Sequence, residues 1–65
     1  MIKAAIRMKN DLVMVFDERG EQMPAYQGKY DEVRENVIRD APPDAVLLHC
    51  LGSDVIPEIV DREAW

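Results

Sequence analysis

Two consecutive prolines, Pro42 and Pro43, set the end of a helix in this chain. Ahead of them Tyr30, Val33, Val37, Ile38 and Ala41 recur at spacings of three and four, one apolar stripe of a helix over residues 29–40. Asp31 and Glu32 in its first turn and Arg39 in its last suit the helix dipole. Proline lacks the amide that the next turn would need and pushes its predecessor out of helical geometry, so the helix stops there. Residues 45–51 follow, an apolar run closed by Gly52. A short apolar segment of this kind reads as a strand buried on both faces, and a helix just ahead of it makes it parallel to an earlier strand.

The earlier strand is residues 2–8. Ile2, Ala4, Ile6 and Met8 alternate with Lys3, Ala5, Arg7 and Lys9, the period of two that marks a half-buried strand. Asn10 and Asp11 both tolerate positive φ and predict a two-residue hairpin into a second strand, residues 12–16. That turn sets Met8 opposite Val13 and Ile6 opposite Val15 on an inner face, with Arg7 opposite Met14 and Ala5 opposite Phe16 on an outer one. Asp17-Glu18-Arg19-Gly20 predicts a type I turn with Gly20 left-handed. A short third strand over 21–23 ends at Pro24. Residues 55–60 read as a loosely attached edge strand and 61–65 as a single helical turn. The expected fold is α+β: a ββ(β)αβ mixed sheet of three to four strands, ordered 3-2-1-4, with one amphipathic helix on one face.

At 65 residues the chain is one domain, 1–65, with a core over 1–52 and a tail over 53–65 packed on the core or on a partner. So small a domain buries only about 60% of the surface its unfolded chain exposes, and such chains lean on disulfides, metals or oligomerisation. Cys50 is the only cysteine, which excludes an internal disulfide, and a structural zinc site would have only His49 and Cys50 to draw on. Oligomerisation or a particularly compact core remains. The lone cysteine suits a reducing, cytoplasmic setting, and no stretch nears the roughly 20 apolar residues of a membrane span. A net charge of −5 argues against nonspecific binding to nucleic acid. The basic stripe Lys3, Arg7 and Lys9 is too small to reverse that expectation.

Catalytic constellations are hard to assemble here. His49 and Cys50 are the obvious base and nucleophile, but neighbours in a strand point to opposite faces and cannot serve each other. Cys50 then sits with Val46 and Leu48 as a small apolar residue. His49 shares a face with Leu47 near the strand end and, with Asp54, forms an alternative ligand site for a small molecule or a metal. The many carboxylates fall in turns and on the solvated helix face. No phosphate-binding glycine pattern is present, and no cofactor is expected.

The stronger signal is apolar. Leu12, Met14 and Phe16 form an outer-face patch beside Ala5, rimmed by Lys3 and Arg7, the pattern of an association surface. Either Ile56, Ile59 and Trp65 of the tail fold back over it, or another chain does. Trp65 needs a docking place in either case. The expected function is a non-enzymatic protein-interaction module, a homodimer or accessory subunit, contacting its partner through Leu12, Met14, Phe16, Arg7 and Trp65. Over about the first 40 residues, the order of hairpin, short third strand and helix, with Gln27-Gly28 before the helix, resembles in outline the small antitoxin-like domains of the HicB type. That resemblance implies a fold outline and carries no activity with it.

Overall fold

A computed structural model describes residues 1–52 and 56–65. Five strands form one mixed sheet: β1 (Ile2–Met8), β2 (Leu12–Asp17), β3 (Gly28–Lys29), β4 (Val46–Cys50) and β5 (Glu58–Val60). The spatial order is β3-β2-β1-β4-β5. β4 runs parallel to β1, and the other neighbouring pairs are antiparallel. The single helix, α1 (Tyr30–Asp40), makes the crossover between β3 and β4. Val33, Val37 and Ala41 of the expected stripe are buried, and Tyr30 and Ile38 pack against the same core.

The hairpin differs from expectation by one residue, with large consequences. The Asp11 amide donates to the Met8 carbonyl at 2.9 Å, and Asp11 itself has φ +61°. The loop is therefore three residues long, a type I turn followed by a left-handed residue. Arg7 pairs with Val13, Ile6 with Met14 and Ala5 with Val15. Residues directly opposite share a face, so Ala5 and Arg7 join Val13 and Val15 under the helix. Ile6 and Met8, expected inside, lie on the outer face. An irregularity at Lys3 then shifts the register so that Ile2 pairs with Asp17. This turns Ile2 back to the helix side, where it is buried.

The third strand also moves. Only an isolated Phe16–Gln22 bridge forms where residues 21–23 were expected to pair. The chain passes through a 3-10 turn at Pro24–Tyr26 and pairs with β2 later, at Gly28 and Lys29. In the gap Val15 keeps both its backbone bonds. Its carbonyl accepts from the Met23 amide at 2.8 Å, and its amide donates to the Gln27 side-chain oxygen at 3.0 Å. A side chain thus stands in for a missing strand, as buried backbone groups require.

Polar detail holds the loops. Gly20 has φ +80° and its amide donates to the Asp17 carbonyl, the turn expected there. The Asp17 carboxylate accepts from the amides of Arg19 and Glu21. The Glu21 amide is the main reason that this carboxyl lies below the usual range. At the far end of α1, Arg39 and the Tyr26 hydroxyl bond Asp40, and hold its carboxyl low in the same way.

Candidate association surface

The helix side of the sheet is closed by two things. α1 packs over β1, β2 and β3. The segment after β5 returns on the same side, where the Arg62 guanidinium donates to the carbonyls of Ile38 and Pro42 at 2.8 Å each. This brings Trp65 into the core at 0% exposure. Its ring meets Tyr30 edge-on at 5.6 Å, and its indole N–H donates to the Leu48 carbonyl at 2.9 Å. The Tyr30 hydroxyl donates to the main-chain oxygen of Trp65, and Arg34 donates to that hydroxyl. The Arg7 guanidinium stacks 3.8 Å from the Tyr30 ring centre and pairs with Asp11 at 2.9 Å. A cation set under a helix is thereby matched on both its flat face and its edge.

Two expected contact residues are therefore placed elsewhere. Arg7 and Trp65 belong to the helix side, locked to Tyr30, and not to the outer surface with Leu12, Met14 and Phe16. Nor do the described residues of the tail cover that surface: Ile56 and Ile59 are 83% and 75% exposed.

The opposite face is built by the same register. Ala4, Ile6 and Met8 of β1, Leu12, Met14 and Phe16 of β2, and Val46, Leu48 and Cys50 of β4 all point to it. Ile59, opposite Leu48, extends it onto β5. None of these positions carries a charge; exposed Lys3 at the irregular start of β1 and Lys29, opposite Leu12, mark its edges. Leu12 is 42% exposed, and its neighbours in β1, β2 and β4 are half-buried by one another. Among the described residues, no helix or strand packs on this face. Where Met8 and Cys50 pair at one end, a shallow concavity of about 540 Å³ opens, walled also by Lys9, Asn10 and Gly52.

No protein-family model, curated protein or solved structure matches this chain. The outer face is therefore defined by its own chemistry. Ile6, Met8, Val46, Leu48 and Cys50 were missed as surface residues. The signal was present in β4, apolar at nearly every position, but no sequence pattern says which side of such a strand the helix takes.

His49 lies on the helix side, in a cross-strand row with Arg7 on β1 and Glu58 on β5. Its Nε2 is buried and has no hydrogen-bond partner among the described residues. Asp54, its expected companion, lies outside the described residues. Cys50 points to the other face. Among the described residues, no three metal-ligating side chains converge, and no helix is long and apolar enough to cross a membrane.

Proposed function

We propose that this chain is a cytoplasmic, non-enzymatic interaction module whose outer sheet face binds another protein surface. One observation carries the reading: the outer face of the central strands is apolar apart from Lys3 at its margin, while the helix and the returning tail both go to the other side. A soluble domain seldom leaves a contiguous patch of this breadth without a partner. The separation of His49 from Cys50 across β4, and carboxylates held by turn amides and neighbouring side chains, support a binding role over catalysis. A photo-crosslinking residue at Met14 in cells tests it. Protein adducts are expected from position 14 and not from exposed Glu35 on the helix; adducts from Glu35 alone would count against the outer face.

The His49 Nε2, buried and without a partner among the described residues, favours a second reading, a regulatory site for a small ligand that supplies one hydrogen bond there. Divalent metal or small-molecule screening by thermal shift is then expected to raise the melting temperature of the native chain but not of His49→Gln. Equal responses from both would dismiss the site.

A further inference from the structure

We propose that the occupant of the outer face is a second copy of this chain, the two sheets stacking into a four-layer α/β/β/α sandwich. This rests on the reading of that face as a protein-binding surface and names its partner. Breadth is the first argument. The four strands with apolar outward residues, β2-β1-β4-β5, are each about 4.8 Å wide and together span about 19 Å, and the central strands run roughly 17–23 Å. A single partner helix, about 10 Å across, would cover half of that. The protein's own helix side shows the same arithmetic, since α1 alone does not close it and the Trp65 segment is needed as well. A second sheet of equal breadth covers all of it at once.

Charge is the second argument. α1 carries four carboxylates against two arginines, and residues 58–63 carry three against one, so most of the net −5 lies on the helix and the returning segment. Stacked sheets lie about 10 Å apart, which leaves the two helices about 30 Å from each other. That exceeds the Debye length of about 8–10 Å at physiological salt. Two acidic copies can thus approach through faces that carry charge only at their edges, Lys3 and Lys29. The plan area of about 20 by 20 Å, about 800 Å² over both faces together, places the pair at the low end of specific interfaces, below roughly 1,200 Å². The dimer should therefore be reversible in the micromolar range.

Sedimentation equilibrium across the micromolar range tests this, together with the rate at which a thiol reagent labels Cys50 on the face. Mass is expected to rise from monomer to dimer, with labelling slowing in step. Met14→Glu should weaken the dimer about 100-fold or more. The double variant Leu12→Lys with Ile59→Lys, at positions already exposed, should do the same with an unchanged circular dichroism spectrum. A dimer unaffected by either variant would show that copies pair elsewhere and overturn the proposal. A strict monomer that still gives adducts from position 14 to a different protein would overturn the second copy alone. A strict monomer without adducts at position 14 would remove the binding reading as well.

Discussion

Trp65→Ala is expected to bring this protein close to unfolding at room temperature. The side chain is fully buried, and it is the only large aromatic in the core that comes from the returning segment. Truncating a buried tryptophan removes its transfer energy and leaves a cavity, about 3–5 kcal/mol together. A chain of this size has a total stability of about 3–10 kcal/mol. The loss also removes the ring contact with Tyr30 and leaves the Leu48 carbonyl without its indole donor. Arg62, which ties the same segment to the end of α1, then holds a tail with nothing to dock. At about 4–8 °C per kcal/mol for domains this small, the melting temperature should fall by at least about 12 °C. Tyr30→Phe is the graded control. It keeps the ring contact but loses the hydroxyl that joins Trp65 and Arg34, and should cost about 1–2 kcal/mol. A Trp65→Ala melt within a few degrees of the native one would refute the account of how the helix side is closed.

Gly28→Ala is expected to cost about 1–3 kcal/mol, out of proportion to one methyl group. Gly28 has φ +150°, a conformation that residues with a Cβ avoid, yet it pairs with Val13 and leads straight into α1. Space is not the obstacle, because an added Cβ would meet the nearest Val33 atom at an ordinary 3.4 Å. The cost is backbone strain, and relieving it would pull β3 off β2 or tilt the start of the helix. Gly20→Asn supplies the comparison. Gly20 is also at positive φ, +80°, but in open space, and asparagine tolerates that region. Urea melts should therefore show a clear loss for Gly28→Ala and a small one for Gly20→Asn. Equal losses would mean that the backbone at Gly28 is not the constraint.

Neither β1 nor β2 announced which of its sides the helix would take. Ile2, Ala4, Ile6 and Met8 looked like the buried set because Lys3, Arg7 and Lys9 alternate with them. Register is strongly specified only when one face of a sheet is polar, and β2 is apolar on both. The choice therefore fell to the loop. One left-handed residue at Asp11 lengthened it to three, reversed the faces of β1, and left Arg7 to find Tyr30 and Asp11 as partners. The candidate surface was legible only in part for the same reason: Leu12, Met14 and Phe16 read correctly as outer residues, while Ile6, Met8 and Leu48 beside them did not.

The helix stripe, its stop at Pro42-Pro43 and the Gly20 turn were all settled by local chemistry: side-chain periodicity, a missing proline amide and glycine's freedom at positive φ. Which face of the sheet is covered, where Trp65 docks and which atoms complete the ladder at Val15 were decided by contacts between residues far apart in the chain. A strand with apolar side chains on both sides is compatible with either outcome, and only the assembled layers choose between them.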